Sequence, residues 1–385
     1  MSDLAPSIPI RAAGLLPTDW CSARCRHCYV QAGPEGARWM TVEAAAGHLA
    51  ALARLGVEAD EVHIGGGEPF GDFDRLLAIV RAARDAGLAG VGYVETNGYW
   101  ATSEKVVRER LTALAAAGMR QISLSADPYH QEFVPPECVQ LLYATAREVL
   151  GPGGVRVRRW KWLREARNVA AMTDAERTAL LTEFLRRYPE RMSGRAADEL
   201  APLAPRVAPD ALPADGCRAA ILESGHVHVD PDGWVYPGTC AGLVLGRATA
   251  DHPLDAVLRG GCGEEPRDGI EMTGWHAHAA VGVGMSPLRE EHAQANSGLG
   301  MPPSAGETPF SVTCNKTGLA LSPLLAALVA GGPRRLLEAV AGGGFQPDAA
   351  GYAGKCHLCW AIRRHLVRTG AEKNTFLPAT LYLTS

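Results

Sequence analysis

The chain has 385 residues, 47% of them hydrophobic and 21% charged, which is enough for one large domain and a smaller one. A net charge of −4 argues against a basic surface for nucleic acid, and no apolar run reaches membrane-spanning length. We therefore expect no nucleic-acid and no membrane partner. The N-terminus lacks a signal-peptide pattern, and the ten cysteines favour metal ligands or free thiols over disulfides, so a cytoplasmic location is predicted.

The first half of the chain alternates short apolar runs with helical stretches. The predicted strands are 11–18, 61–64, 90–94, 121–125, 155–160 and 191–195. The predicted helices are 41–56, 73–86, 103–118, 135–150 and 174–187. Strands that alternate with crossover helices imply a parallel sheet or barrel. Six such units predict an α/β fold, a partial (β/α)6 TIM-like barrel over 1–200, with its active site at the carboxyl ends of the strands.

The rhythm changes after a Pro/Ala-rich linker at 201–216. Strands at 226–229 and 234–236 flank Asp-Pro-Asp-Gly, a hairpin signal in which glycine supplies a positive φ. Beyond it we expect a mobile insertion at about 260–310, which is rich in Gly, Ala, Pro and charge. The later helices are predicted at 319–328, 334–340 and 360–367. Residues 217–385 therefore form a smaller α+β domain in this prediction.

Three cysteines lie within eight residues near the N-terminus, in a C-x3-C-x2-C pattern. Cys21, Cys25 and Cys28 supply three thiolates from one short loop without an obvious fourth. Iron–sulfur cubanes normally take four cysteines, so three would leave one iron free to bind a substrate or cosubstrate. A zinc knuckle or a disulfide is the alternative, but structural zinc sites usually pair two separate ligand arms.

This cysteine pattern after a first strand resembles the radical S-adenosylmethionine (radical SAM) superfamily. The resemblance implies a [4Fe–4S] cluster on the three cysteines, with SAM chelated to the open iron. Reductive cleavage of SAM would then give a 5′-deoxyadenosyl radical that abstracts hydrogen from a substrate. The position before the third cysteine is often aromatic in the family and stacks near adenine. Here it is His27, with Tyr29 following Cys28, and both are candidate SAM contacts.

A Gly-Gly-Glu-Pro segment ends the second predicted strand. Its glycines, Gly66 and Gly67, allow close backbone approach to a ligand, Glu68 can accept from an ammonium group, and Pro69 stiffens the turn. In the superfamily that the chain resembles, this segment contacts the amino group of SAM. A plain glycine-rich turn is the alternative, but the order and spacing after the cysteine loop favour a SAM site.

Further candidates lie at strand ends. Asn97 and Ser125 follow the third and fourth strands, where polar residues usually face the ligand, although each could simply cap the next helix. Arg195 follows the sixth predicted strand and resembles the family arginine that approaches the SAM carboxylate, a group that guanidinium binds bidentately. The adjacent acid, phenol and imidazole of Asp127, Tyr129 and His130 are our candidates for substrate contact or proton transfer.

Four cysteines of the C-terminal part form two further arms. They are Cys217 and Cys240, which bracket the hairpin, and Cys356 and Cys359, which form a C-x2-C. Such a set can close around one metal centre. It resembles the SPASM/twitch extension of radical SAM enzymes, which implies one auxiliary [4Fe–4S] cluster, and a structural zinc ion is the alternative. Cys262 and Cys314 are left over, and either could donate a hydrogen atom to a substrate radical.

The predicted function is therefore that of a radical SAM enzyme that acts on a ribosomal peptide or a small metabolite. Its cofactors would be SAM, the SAM-binding 4Fe–4S cluster and a second, auxiliary 4Fe–4S cluster, and its reductant would be a flavodoxin or ferredoxin. A sugar- or aminoglycoside-type dehydrogenase or epimerase is an alternative within the family. A metal-stabilised binding protein without radical chemistry is the alternative outside it.

Overall fold

The computed structural model describes residues 8–259, 321–372, 374–376 and 378–383. These residues belong to one compact unit, which comprises Met1–Gly263 and Val312–Ser385. The insertion predicted at 260–310, together with Cys262 and Cys314, lies outside the described residues. Among the described helices, none is both long and apolar enough to cross a membrane.

One sheet organises the described part of the chain. Its strands are β1 (Ala12–Leu15), β2 (Val62–Ile64), β3 (Val91–Thr96), β4 (Met119–Ser125), β5 (Val155–Arg158), β6 (His226–Val229), β7 (Trp234–Pro237) and β8 (Gly246–Arg247). Their order across the sheet is β5-β4-β3-β2-β1-β6-β7-β8. Strands β1 to β6 run parallel to one another. Strands β7 and β8 are added beside β6 as an antiparallel edge. The α/β prediction with a parallel sheet is confirmed.

The sixth parallel strand comes from an unexpected part of the chain. The strand predicted at 191–195 is wrong, because residues 191–193 are irregular and Arg195 begins a helix. The polar and charged residues of this segment leave no apolar alternation to bury. The sixth parallel strand is instead β6, whose residue His226 pairs with Ala12 on the far side of β1. The hairpin predicted after the linker therefore extends the same sheet.

Helices cross between the strands and follow them. They are α1 (Val42–Arg54), α2 (Phe73–Asp85), α3 (Glu104–Ala117), α4 (Pro128–Gln131), α5 (Pro136–Leu150), α6 (Trp160–Arg164), α7 (Asp174–Arg187), α8 (Arg195–Glu199), α9 (Arg218–Ile221), α10 (Leu254–Leu258), α11 (Pro323–Ala339), α12 (Lys355–Arg368) and α13 (Thr380–Leu383). Local signals set their ends: Ser103 caps α3, Gly118 ends it at φ 119°, and Thr173 forms a capping box with Glu176 on α7.

The main core lies between the sheet and the helices that cross it. Buried strand residues such as Leu15 and Ile64 pack with buried helix residues such as Leu49, Leu76 and Leu111. These five side chains are at most 1% exposed. Burial of this kind contributes roughly 1.5–3 kcal/mol per side chain to the stability of the fold. It therefore stabilises the sheet from which the site loops extend.

A second apolar cluster gathers the C-terminal helices. It includes Trp360 of α12, Phe376 and Tyr382, with Trp360 stacked on Tyr382 at 4.8 Å between ring centroids. The last predicted helix, 360–367, begins earlier than expected, at Lys355. The C-x2-C cysteines therefore lie within the first turns of α12.

Candidate active site and second cysteine cluster

The cysteine loop follows β1 at the carboxyl end of the parallel strands. Cys21 and Cys25 are buried, Cys28 is half-buried, and all three are free thiols. Burial raises the pKa of Cys21 to about 12, and the pKa of Cys25 is raised by burial and by the charges of Cys21 and Cys28. Cys21 and Cys25 belong to one buried cluster, and Cys28 packs against it. The loop thus gathers three sulfur donors, the ligand type that holds iron–sulfur clusters.

Arg195 holds the backbone of this loop. Its guanidinium is 3% exposed and donates to the carbonyls of Cys25 (2.9 Å), Gln31 (3.0 Å) and Ala32 (2.9 Å). Gly194 precedes it at φ 59°, and a side chain there would lie 2.6 Å from the Cys28 carbonyl. The segment that the sequence singled out therefore reaches the cysteine loop. Its guanidinium, however, is used by three carbonyls and does not line the cavity described below.

The Gly-Gly-Glu-Pro segment lies directly against the cysteine loop. Gly67 donates its N–H to the Thr18 carbonyl at 2.9 Å, and Gly66 adopts a φ of 102° that favours glycine. A side chain on Gly67 would collide with the Trp20 carbonyl. These glycines therefore serve the close approach of two backbone segments, and both also line the cavity. Pro69 begins a short 3-10 turn.

Glu68 points into the protein and is fully buried. Its carboxylate accepts from the Thr96 hydroxyl (2.9 and 3.0 Å), the Asn97 N–H (2.7 Å) and the Phe70 N–H (3.2 Å). Burial raises its pKa to about 7, and these hydrogen bonds oppose the rise. Glu68 thus joins the ends of β2 and β3 and holds Asn97 in place, but it does not line the cavity.

Asn97 and Ser125, at the ends of β3 and β4, both line the cavity. The Asn97 amide donates to the Ser22 hydroxyl at 3.1 Å and lies 3.5 Å from the Cys21 sulfur. The predicted position of both residues at the carboxyl end of the sheet agrees with this arrangement. Their contact with SAM stays a prediction.

His27 and the segment after β4 form an aromatic and acidic cluster. His27 stacks on Tyr129 at 4.8 Å, and the His130 Nδ1 lies 2.8 Å from an Asp127 oxygen. Burial lowers the pKa of His27 to about 3, so this ring is neutral at physiological pH. Of the three candidate proton-transfer residues, only His130 lines the cavity. Asp127 and Tyr129 are buried behind it.

The cavity has a volume of about 290 Å³ and opens above the cysteine loop. His27 and Tyr29 line it, as the sequence predicted. Four further charged side chains line it that were not among the predicted site residues, namely Glu95, Arg158, Glu190 and Arg191. The alternation of Val and Arg in β5 could have indicated Arg158. Arg191 lies in the segment misassigned as a strand, and Glu190 directly precedes that segment.

Two of these acids are buried enough to change their acidity. Burial and the nearby Asp127 charge together raise the pKa of Glu190 to about 7, against the opposing charge of Arg158. Burial also raises the pKa of Glu95, against the influence of Arg158 and Arg156. A carboxyl group with a pKa near 7 can take up or release a proton at physiological pH.

The four C-terminal cysteines come together as a second group. Cys217 precedes α9, Cys240 follows β7, and Cys356 and Cys359 lie in α12. The pKa of Cys359 is raised to about 12 by burial and by the charges of the other three, despite an opposing effect of Arg363. Cys217, Cys240 and Cys359 pack against the same apolar cluster. The metal centre predicted on the four cysteines stays a prediction.

Arg191 links the two regions. It lines the cavity, and its guanidinium donates to the Cys240 sulfur at 3.2 Å. Thr239, which precedes Cys240, lines the cavity as well. The second cysteine cluster therefore borders the same cavity as the first.

Residues 15–170 match a sequence model of the Radical SAM superfamily. No curated protein matches the chain in sequence. Among solved structures, BtrN in complex with AdoMet and 2-DOIA is similar at 15% identity and a TM-score of 0.37, over 62% of this chain and 78% of that one. Native anSMEcpe with bound AdoMet is similar at 14% identity and a TM-score of 0.33, over 61% and 77%. Both TM-scores are too low to support an inference about this chain.

The assignment rests on the sequence match, which covers the cysteine loop and the Gly-Gly-Glu-Pro segment. The superfamily holds a [4Fe–4S] cluster and SAM, cleaves SAM reductively, and requires a reductant and a substrate. Residues 15–170 of this chain are a radical SAM domain, and the chain is a radical SAM enzyme.

Proposed function

We propose that the chain oxidises a small polar substrate by radical SAM chemistry, with a second iron–sulfur cluster beside the same cavity. One observation carries the proposal. One cavity is lined by Cys21, Cys25 and Cys28 and also by Arg191 and Thr239; Arg191 donates to the Cys240 sulfur, and Thr239 precedes Cys240. A substrate in this cavity would lie close to both cysteine groups.

The residues of the first site fit a [4Fe–4S] cluster with SAM. Cys21, Cys25 and Cys28 would hold the cluster, and Gly66, Gly67, Asn97, Ser125, His27 and Tyr29 are the proposed surroundings of SAM. When bound, these groups supply a 5′-deoxyadenosyl radical that removes a hydrogen atom from carbon. Asn97 and Arg195 hold the loop, and the half-buried His27 and Tyr29 limit the access of water to it.

The second cysteine group fits a cluster better than a zinc ion. A tetrahedral zinc ion with Zn–S bonds of ~2.3 Å holds its sulfurs about 3.8 Å apart. Within the described residues, the groups of three ligands that lie within 4.8 Å of one another contain no cysteine. The absence of such a close cysteine triplet among the described residues supports a four-iron cubane on Cys217, Cys240, Cys356 and Cys359, which would supply an electron acceptor.

The charged lining of the cavity suits the oxidation of an alcohol or amine. Such an oxidation removes a hydrogen atom from carbon, a proton from oxygen or nitrogen, and one further electron. Glu190, whose pKa lies near 7, is the proposed acceptor of that proton. Arg158 and Arg191 are the proposed binding groups for polar substrate oxygens. His130 is a second proton acceptor, which its hydrogen bond to Asp127 orients.

Two other functions stay predictions. Peptide maturation would need a binding surface for a peptide. The insertion expected at about 260–310, which could contact a peptide, lies outside the described residues. Epimerisation would need a hydrogen-atom donor, and the thiols considered for that role, Cys262 and Cys314, lie there too. A flavodoxin or ferredoxin as the reductant, and the cytoplasmic location, are likewise proposals.

The test begins with protein reconstituted anaerobically with iron and sulfide and reduced with dithionite. We expect about eight irons per chain and release of 5′-deoxyadenosine from SAM. A Cys25→Ala variant should release none, whereas a Cys138→Ala variant, which changes a thiol outside both groups, should behave as wild type. Incubation with a panel of polyols, amino sugars and short peptides, followed by mass spectrometry, would identify the substrate class. Loss of two hydrogens from a peptide but from no small molecule would contradict the proposal.

A further inference from the structure

Three histidines meet at the sheet, and none of them is a ligand proposed for either cysteine group. His63 lies on β2, and His226 and His228 lie two residues apart on β6. Residues i and i+2 of a strand point to the same face, so both β6 rings are presented together. Gly14 of β1 pairs with His63 on one side and with His228 on the other.

Gly14 makes room for these rings. A side chain there would collide with both the His63 and the His228 imidazole. The two rings therefore close over the β1 backbone and face each other. They are each 4% exposed, while His226 is half-buried.

The distances fit the coordination shell of one metal ion. The His63 Nε2 and the His228 Nε2 lie 3.2 Å apart, and one ring nitrogen from each of the three histidines lies within 4.8 Å of the others. Two nitrogens bound to a tetrahedral zinc ion at 2.0–2.1 Å lie about 3.3 Å apart. The observed separation of the first pair matches that value.

The two facing Nε2 atoms of His63 and His228 lie within hydrogen-bond distance of each other, and a bound ion would replace that contact. The Nδ1 of His228 lies 2.6 Å from the Gly238 carbonyl, so it carries the ring proton and leaves a lone pair on Nε2. Such a bond from the second ring nitrogen to a carbonyl is typical of metal-binding histidines. The His226 Nε2 is buried and has no hydrogen-bond partner among the described residues. Burial lowers the pKa of all three rings, which keeps them neutral.

We propose that His63, His226 and His228 bind one zinc-like divalent ion, at a site separate from the two iron–sulfur sites. Neutral imidazoles are preferred ligands of zinc, whereas iron–sulfur clusters take thiolates. Three protein ligands leave a fourth position for water. Because the ligands come from β2 and β6, the ion would tie together the two strands that flank β1.

The test uses the full chain with its iron–sulfur sites reconstituted, equilibrated with zinc chloride and desalted. We expect about one zinc per chain, with X-ray absorption showing only nitrogen and oxygen neighbours at about 2.0 Å. A His226→Ala variant changes the most accessible ligand and should bind zinc at least ten times more weakly in a competition titration with a chromophoric chelator. His48→Gln, which alters a buried histidine outside the group, should bind as wild type.

Two results would overturn the proposal. One is wild-type protein without a zinc ion in a nitrogen and oxygen shell. The other is unchanged zinc affinity in both the His226→Ala and the His63→Ala variants. If His63→Ala fails to fold, the His226→Ala titration alone decides, because that side chain is half-buried. Additional zinc with sulfur neighbours would indicate binding at the second cysteine group. The zinc in a nitrogen and oxygen shell would still decide this proposal.

Discussion

Substitution of Arg195 by lysine separates two roles for this arginine. The guanidinium donates a hydrogen bond from one nitrogen to the Cys25 carbonyl, and from another nitrogen to the Gln31 and Ala32 carbonyls. A lysine ammonium has a single nitrogen, so at least one of these hydrogen bonds is lost. Hydrogen bonds from charged donors contribute roughly 1.5–3 kcal/mol each, so one or two lost bonds destabilise the loop by roughly 1.5–6 kcal/mol. That is a large share of the free energy of unfolding of a typical domain, which is about 5–15 kcal/mol.

The expected outcome is loss of the first cluster alone. Iron bound after reconstitution should fall from about eight to about four per chain in Arg195→Lys, because the second cysteine group keeps its ligands. Arg24→Lys is the matched control, since Arg24 lies on the same loop with 49% of its side chain exposed. It should keep the full iron content. Full iron content in Arg195→Lys with weaker binding of SAM, measured by equilibrium dialysis, would refute the clamp and favour contact with the SAM carboxylate.

Three further changes test the site and the core. In Glu190→Gln, product formation should lose its rise with pH near 7, because the carboxyl with a pKa of about 7 becomes a proton acceptor only above that pH; release of 5′-deoxyadenosine should continue, and an unchanged pH profile would exclude this role. In Cys359→Ser, iron should fall to about four per chain while SAM is still cleaved without substrate, and loss of SAM cleavage would contradict separate clusters. In Leu49→Ala, urea unfolding should show a loss of about 2–5 kcal/mol, and a loss below 1 kcal/mol would mean that the α1 contact is not closely packed.

Much of the parallel sheet could be predicted because its signals are local. β2, β4 and α7 follow from short apolar runs and from helical periodicity with caps at their ends. The sixth strand could not be predicted in the same way. Its place beside β1 depends on a pairing between distant parts of the chain, which no local pattern contains.

The candidate site shows the same limit. The cysteine spacing could predict Cys21, Cys25 and Cys28 as one group, because all three come from one loop and each of them lines the cavity. The role of Glu68 could not be predicted, because the burial of its carboxylate depends on Thr96 and Asn97 of another strand. Glu190 escaped notice because nothing in its local sequence distinguishes a buried acid from an exposed one.

The position of β1 between β2 and β6 bears on how the enzyme is made. β1 leads into the cysteine loop, yet one of its two neighbours is synthesised only after the whole radical SAM domain. Contacts between distant segments form slowly, and domains fold as their chain emerges from the ribosome. Until β6 arrives, β1 has an open edge and the thiols beyond it lie in an unfinished fold. Iron loading would therefore follow the synthesis of β6 and its pairing with β1.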